Sequence, residues 1–566
     1  MPLQKRWDVM PTNNNTAAQL HQVLGINSTL CNILANRNIS DYDAAKAFFR
    51  PSIKALHNPF LMKDMDKATA RIIAAFEANE KIMVFGDYDV DGTTAVATMY
   101  NFIITQHQNV SYYIPHRYRE GYGLSKIGID TAKETNCGLI ICLDCGIKSI
   151  ALIAYAKTLG IDFIVCDHHM PDEELPNAVA ILNAKQPLCN YPNKELCGCG
   201  VGFKLIQALC QLLHLDEALP FEYLDLVATA IAADIVPIVG ENRTLTYFGL
   251  EKINTNPNQG IQALITLSKA KKPLNVSDVV FVIAPRVNAA GRMDEATKAV
   301  QLFIAKDYSE AEFFAKELQT NNVERRETDA AISEEALEML AVENNQKKST
   351  VLYQPHWHKG VVGIVASRLI DHYYKPTIVL TKSGDIVAGS ARSVHGFNVY
   401  NAIDACSKYL IGYGGHFYAA GMTLEESQVI PFSEAFERQV QKTITNAQLT
   451  PRINIDAVLK FKEITTNFYK ILCQMEPYGP ENMRPTFVSY NVTDTGLSKI
   501  VKEIHLKVSV KQGNIIMQGI GFNMYEKYDL LCNKKPVDIV YTLDENEWNS
   551  VKQIQLKIID IKASES

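Results

Sequence analysis

Between Lys81 and Cys166, four short apolar runs at residues 82–85, 111–114, 138–143 and 161–166 alternate with stretches of helical pattern. The intervening residues 93–106 and 147–159 are long enough to be crossover helices, so a mostly parallel sheet covered on both faces is expected. In such sheets ligands gather outside the carboxyl ends of the strands. The polar residues directly after each apolar run are therefore the ones that bear on function.

The rest of the chain is read around that sheet. At roughly 100 to 200 residues per domain, 566 residues suggest three or four packed units. Residues 1–75 read as an N-terminal helical segment, in which Leu20, Leu24, Leu30, Ile33 and Leu34 have partial helical spacing and Pro51 and Pro59 break it. No chemistry is apparent there. Residues 76–305 form the first α/β domain. Neither Gly nor Pro occurs from Arg292 to Gln354, and residues 309–342 are rich in Glu, Ala, Leu, Lys and Arg, so a long connecting helix is placed within 306–345. Residues 346–445 read as a smaller α/β domain, with strands at 350–353, 377–381 and 386–390 and a helix at 361–372. In the last part, 446–566, Ile504, Leu506, Val508 and Val510 alternate with polar residues. Further strands at 515–522, 537–542 and 552–561 make a small, roughly five-stranded β unit of OB-like type.

Composition narrows the function classes. With 47% hydrophobic and 21% charged residues the chain is globular. A net charge of −6 means that it cannot coat nucleic acid by bulk charge, so a nucleic-acid site must be a local groove or depend on metal ions. No apolar stretch is long enough to span a bilayer and no apolar region follows the first residues, so a cytoplasmic protein without membrane contact is expected. The 12 Cys lack a framework of paired spacings, which fits reduced thiols.

Four polar clusters fall where the sheet puts a site. The first is Gly86-Asp87-Tyr88-Asp89-Val90-Asp91-Gly92, with carboxylates at alternating positions. Then come Asp144-Cys145-Gly146, Asp167-His168-His169 and Ala233-Asp234-Ile235-Val236-Pro237. Seen singly, an Asp-x-Asp-Gly is a turn or a helix cap, and Asp144 or Asp234 alone reads as a cap. Four such clusters at successive element ends favour a common site. Clustered carboxylates repel unless cations neutralise them, and oxygen ligands with a few imidazoles suit Mg²⁺ or Mn²⁺ better than Zn²⁺. Two such ions would activate a water and steady the leaving oxygen of a phosphoryl centre. Cys142-Leu143-Asp144-Cys145 and Cys197-Gly198-Cys199 have poor zinc spacing and read as buried thiols.

Two further features suit phosphate. Gly414-Gly415-His416-Phe417-Tyr418-Ala419-Ala420-Gly421 reads either as a tight packing loop or as one that cradles a phosphate through its N–H groups. Pro285-Arg286-Val287-Asn288-Ala289-Ala290-Gly291-Arg292 and Ser390-Ala391-Arg392-Ser393 offer guanidinium forks beside small residues.

Taken in order, the four acidic and histidine motifs resemble those of the DHH phosphoesterase superfamily, and 414–421 resembles its DHHA1 substrate-binding motif. Tyr113-Ile114-Pro115-His116-Arg117, Glu120-Gly121-Tyr122-Gly123-Leu124, 285–292 and Pro477-Tyr478-Gly479-Pro480-Glu481-Asn482 resemble the RecJ family of single-strand-specific 5′→3′ DNA exonucleases. The likeness covers nearly the whole chain. It implies a parallel-sheet DHH domain joined by a long helix to a DHHA1 domain, with an OB-like domain after it. It also implies that Asp87, Asp89, Asp91, Asp144, His168 and Asp234 hold two divalent ions, Mn²⁺ or Mg²⁺, with His169 nearer the phosphate. Arg117, Arg286, Asn288, Arg292, Arg392, Ser393, Gly414, Gly415 and His416 would hold the substrate. Many superfamily members outside the RecJ branch carry His four residues before the Asp-x-Asp; here that position is Phe85. The implied function is hydrolysis of single-stranded DNA to 5′-mononucleotides in repair and recombination, by a monomer working beside a single-stranded-DNA-binding protein and a helicase. The alternatives are a DHH phosphodiesterase for oligoribonucleotides or cyclic dinucleotides, against which the β-rich tail argues, and a non-catalytic replication or repair scaffold, against which the complete acidic set argues.

Overall fold

The computed structural model describes residues 4–293, 296–342, 347–533, 535–548 and 551–564. The expected N-terminal helical segment is not one unit. Strand β1 (Arg6–Val9) precedes helices Asn14–Leu24, Ser28–Asn36 and Tyr42–Phe49, and β1 pairs in parallel with Arg452–Ile455. Leu20, Leu30, Ile33 and Leu34 are buried in one core with Leu459, Phe487, Leu506 and Tyr541 of the C-terminal unit. Trp7 Nε1 donates to Asp560 Oδ2 at 2.9 Å across a sequence separation of 553. By contrast, helix Met65–Glu77 buries Met65, Ala68, Ile72 and Ala75 in the core of the first α/β domain. The short helices are too small to enclose a core of their own and so share one with distant strands.

The first domain is built on five parallel strands: β2 (Lys81–Gly86), β3 (Val110–Tyr113), β4 (Cys137–Leu143), β5 (Asp162–Cys166) and β6 (Ala180–Leu182). Their order is β3-β2-β4-β5-β6. Ile82, Val84, Leu139 and Ile141 bury on one face, and Met83, Phe85, Ile140 and Cys142 on the other. Burial of each such side chain contributes about 1.5–3 kcal/mol. Helices Met65–Glu77, Val90–Gln106 and Gly198–Leu212 pack on one face of the sheet and Lys126–Glu134 and Ile150–Thr158 on the other, while Leu224–Ala233 packs on Val90–Gln106 and Gly198–Leu212. Strand order reverses between β2 and β4, so the crevice of a doubly wound sheet opens at the carboxyl ends of these two strands.

The connecting helix runs over Tyr308–Val342. Beyond it, β7 (Thr350–Tyr353), β8 (Thr377–Ser383), β9 (Ile386–Arg392), β10 (Gly412–Gly415) and β11 (Ala419–Leu424) form a sheet of order β10-β11-β9-β8-β7. The glycine-rich stretch, expected as a loop, is therefore an antiparallel hairpin in which Gly414 pairs with Gly421 and Gly415 with Ala420.

The last domain contains β12 (Arg452–Ile455), β13 (Ala457–Val458), β14 (Phe487–Asp494), β15 (Lys499–Val501), β16 (His505–Gln512), β17 (Ile515–Gly521), β18 (Val537–Trp548) and β19 (Val551–Ala563). Seven of these form one sheet, β13-β14-β18-β19-β17-β16-β15, rather than the roughly five expected, and β14 also pairs with β16. The short β13 and β15 are the strands that alternation does not reveal. Among the described residues no helix is long and apolar enough to cross a membrane. Cys142, Cys145, Cys197 and Cys199 are buried free thiols.

Candidate functional site

The acidic residues stand one to a few positions beyond the strand ends because backbone pairing continues there. Asp144 N donates to Cys166 O at 2.8 Å and Asp167 N to Leu182 O at 3.0 Å, which carries the ladders of β4 and β5 past their last residues. Asp144 then takes a left-handed conformation, φ 59°, a turn that Asp tolerates better than most residues. After β2, Asp89 caps the helix Val90–Gln106 by accepting from Gly92 N at 3.0 Å. Asp91, in the first turn, accepts from Gly198 N at 2.6 Å and Cys199 N at 2.8 Å, the first amides of helix Gly198–Leu212. Any side chain at 198 would strike Asp144, since a Cβ there would lie 2.5 Å from the Asp144 Cβ. Asp234 closes the opposite end of a helix, following Leu224–Ala233.

These elements converge on His168. Its Nε2 lies 3.1 Å from Asp144 Oδ1, 3.6 Å from Asp234 Oδ2 and 3.8 Å from Asp91 Oδ2. Asp91, His168 and Asp234 form one group able to hold a cation, and Asp144, His168 and His169 a second that shares His168. Burial, then the charge of Asp89, pushes the Asp87 carboxyl up to about 8. Burial, then Asp91 and Asp89, does the same to Asp234. Asp91 and Asp144 are also raised, first by burial. Asp87 Oδ2 and Asp144 Oδ1 are buried and accept no hydrogen bond. Buried carboxylate oxygens without donors are costly, and a hard divalent cation is the partner that this oxygen-rich set with one or two imidazoles fits.

His169 is held differently. Its Nδ1 is 2.7 Å from Asp167 Oδ1, and its Nε2 is 3.0 Å from the Tyr122 hydroxyl, which donates in turn to Asp144 O at 3.3 Å. Burial would raise Asp167, but the hydrogen bond and charge of His169 and the Ile147 amide hold it down at about 2. Asp167 is thus a fixed anion that orients the imidazole. Tyr122 sits in a motif read for family likeness alone; only its position, two strands away from His169, hid this contact.

Guanidinium groups adjoin the carboxylates. Arg117 lies 4.9 Å from the centre of the Tyr88 ring and lowers the pKa of Asp87. Arg292 donates to Gly360 O at 3.1 Å, joining the first domain to the second. Burial, then the nearby charges of Arg117, Arg325 and Arg392, brings Arg292 down to about 10. Arg392 donates to Ser390 Oγ at 2.8 Å. Ser390 shares a strand face with Arg392, whereas Ser393 donates its hydroxyl to Phe397 O at 2.6 Å. Arg325, on the connecting helix, is a member that the sequence reading missed. Arg286 is engaged elsewhere, donating to Gln319 Oε1 at 2.8 Å, while Asn288 is half-buried on the same helix as Arg292. Gly414, Gly415 and His416 are exposed at the β10–β11 hairpin, with His416 N used in pairing to Ala419 O.

Residues 81–231 match the DHH family N-terminal domain, 346–442 the DHHA1 domain and 455–560 the RecJ OB domain. The single-stranded-DNA-specific exonuclease RecJ of Bacillus subtilis is 36% identical over 99% of this chain and 71% of its own length. The Escherichia coli protein of the same name is 34% identical over 88% of this chain and 90% of its own. The chain belongs to the RecJ family. Thermus thermophilus RecJ, solved in complex with Mn²⁺, superposes with a TM-score of 0.85 at 26% identity, covering 99% of this chain and 80% of that one. In this RecJ-family chain the first domain supplies the acidic groups with Arg117 and Arg292, the connecting helix Arg325 and the DHHA1 domain Arg392, and the OB domain is joined to both the N-terminal helices and the first domain.

Proposed function

We propose that this chain hydrolyses single-stranded DNA from its 5′ end and releases 5′-mononucleotides, using two divalent ions, Mn²⁺ or Mg²⁺. The observation that carries this reading is the adjacency of two opposed clusters. Asp87, Asp89, Asp91, Asp144, His168 and Asp234 would hold the ions, and Arg117, Arg292, Arg325 and Arg392 would face the substrate phosphates. When bound, the ions supply Lewis acidity to the phosphodiester and to water. The chain's own part is to orient and to balance charge. His169, fixed by Asp167, presents Nε2 with Tyr122 as a hydrogen-bonding pair towards the reacting phosphate. On the OB domain, Phe522 is 54% exposed, with Lys557 6.0 Å from its ring, a surface on which a base can stack. Action as a cytoplasmic monomer in repair and recombination, beside a single-stranded-DNA-binding protein and a helicase, belongs to the same reading.

The direct test is incubation with Mn²⁺ and end-labelled linear single strands, circular single strands, an oligoribonucleotide and a cyclic dinucleotide. Only the linear DNA should be cut at a high rate, to mononucleotides. Comparable cleavage of the circle would make the enzyme an endonuclease.

Two predictions follow from the side chains. His168→Ala should weaken Mn²⁺ binding on the order of tenfold and recover activity as Mn²⁺ is raised. His169→Ala should bind Mn²⁺ normally yet turn over on the order of a hundredfold slower at saturation. Calorimetric titration and single-turnover cleavage separate them, and rescue of His169→Ala alone by Mn²⁺ would reverse the two roles. Four crowded guanidinium groups fit a terminal phosphate better than a bridging one, because it carries more charge. A 5′-phosphorylated strand should therefore be favoured over its 5′-hydroxyl counterpart, and Arg392→Ala should lose that preference by about tenfold or more. An unchanged ratio of kcat/KM for the two strands would remove Arg392 from this role.

A further inference from the structure

The segment after Asp234 has an unusual backbone. Ile235 adopts φ 61°, a left-handed conformation that a β-branched residue rarely takes. Its side chain is 66% exposed, so its own packing does not hold it there. The restraint comes from the two ends of the turn. On one side Asp234 N is bonded to Ala230 O at 2.9 Å in the last turn of its helix. On the other side Ile238 is fully buried, and its N donates to Pro480 O at 2.9 Å.

Pro480 lies in the segment that leads into the OB strands. Gly479 presses on Ile238, since a Cβ at 479 would lie 2.4 Å from Ile238 Cδ1. The segment is rigid: Gly479 and Asn482 exchange backbone hydrogen bonds of 3.1 and 2.9 Å, and Asn482 Nδ2 donates to Met475 O and Pro477 O at 3.0 and 2.8 Å. The first domain grips the same segment. Arg243, 3% exposed, donates to Met475 O at 3.0 Å, Glu476 O at 2.8 Å and Pro477 O at 3.2 Å. Asn242 Nδ2 holds Pro237 O at 3.0 Å.

We propose that residues 475–482 are a positioning element for Asp234: by clamping Ile238 they maintain the strained turn at Ile235 and set the carboxylate against His168. Gly479 and Arg243 are then positioning residues that touch neither substrate nor ion. The OB domain contributes to cation binding through this contact as well as to strand binding. The inference rests on the reading of Asp234 as a cation ligand.

The test uses the full-length, metal-free chain titrated with Mn²⁺ by calorimetry, alongside thermal melting and cleavage of a dinucleotide too short to reach the OB domain. Gly479→Ala should bind Mn²⁺ on the order of tenfold more weakly. Its kcat on the dinucleotide should approach wild type once Mn²⁺ saturates. Adding Ile238→Val, which removes the Cδ1 atom that the new methyl meets, should restore much of the affinity. Arg243→Lys, which keeps the charge but loses the three-carbonyl fork, should weaken Mn²⁺ binding in the same way and serves if Gly479→Ala does not fold. Wild-type Mn²⁺ affinity in either folded variant, whatever its melting temperature, would overturn the proposal, as would failure of Ile238→Val to restore any affinity to Gly479→Ala. A wild-type chain that binds Mn²⁺ and does not cut single strands would overturn the proposed function and leave this inference standing. No Mn²⁺ binding by the wild type would remove both.

Discussion

Asp144→Asn is expected to reduce hydrolysis by about a thousandfold or more while the protein stays folded and, in chelator, melts no lower than wild type. Asp144 Oδ1 accepts no hydrogen bond and is surrounded by Asp89, Asp91 and Asp234, so its charge opposes the metal-free fold. Neutralising it removes repulsion and costs little packing. Asn also tolerates the left-handed backbone at 144, where Ala adds strain of about 1–2 kcal/mol. Asp144→Ala should therefore be equally inactive but melt below Asp144→Asn. Single-turnover cleavage and melting in chelator measure both. Activity near wild type in Asp144→Asn would dissolve the acidic site as described.

The second large effect is on stability against pH. Asp87 and Asp234 are raised from an ordinary 3.8 to about 8, and Asp91 and Asp144 are raised as well, in each case first by burial. Between these limits these four carboxyls bind more protons in the folded chain than in the unfolded one, so their contribution to stability falls as pH rises and outweighs the opposing imidazole of His168, which burial lowers. Metal-free protein should thus lose stability from pH 5 to pH 8, on the order of several kcal/mol. Mn²⁺ at pH 8 should return most of it, since a cation binding only the folded state offsets the same repulsion. Asp167, held near 2, works in the opposite sense but only below its ordinary range, outside this window. Melting curves in chelator and in Mn²⁺ across this range decide the matter. A chelated protein that grows more stable from pH 5 to 8 would contradict the clustering of these carboxylates.

Much of this site was legible because its chemistry follows the sheet. Asp87, Asp144 and Asp167 each come directly after a buried run, a pattern written locally in the sequence. The arginines were harder. Parity along β9 puts Ser390 and Arg392 on one face, but nothing along the strand says which guanidinium groups from other elements lie near them. Arg325 sits on a polar face of a 35-residue helix, where nothing local separates a solvated cation from one facing Arg292. The hairpin at 412–424 was concealed by its glycines, which carry no alternation to read. Least legible was the pairing of β1 with β12, because period and propensity speak only of neighbours, and the partners of Arg6–Val9 are Arg452–Ile455.

That pairing has a consequence for how the chain is made. The helices that bury Leu20, Leu30 and Leu34 emerge from the ribosome long before Phe487, Leu506 and Tyr541, which cover them. At about 5–20 residues per second, synthesis of the ~450 intervening residues takes roughly 20–90 seconds. For that time the apolar surface of these helices is uncovered while the DHH and DHHA1 domains fold, and the last domain closes only when two segments distant in sequence meet. The final domain is therefore the natural point for a holding chaperone to act, and the step at which crowded newly made chains would exchange their first helices.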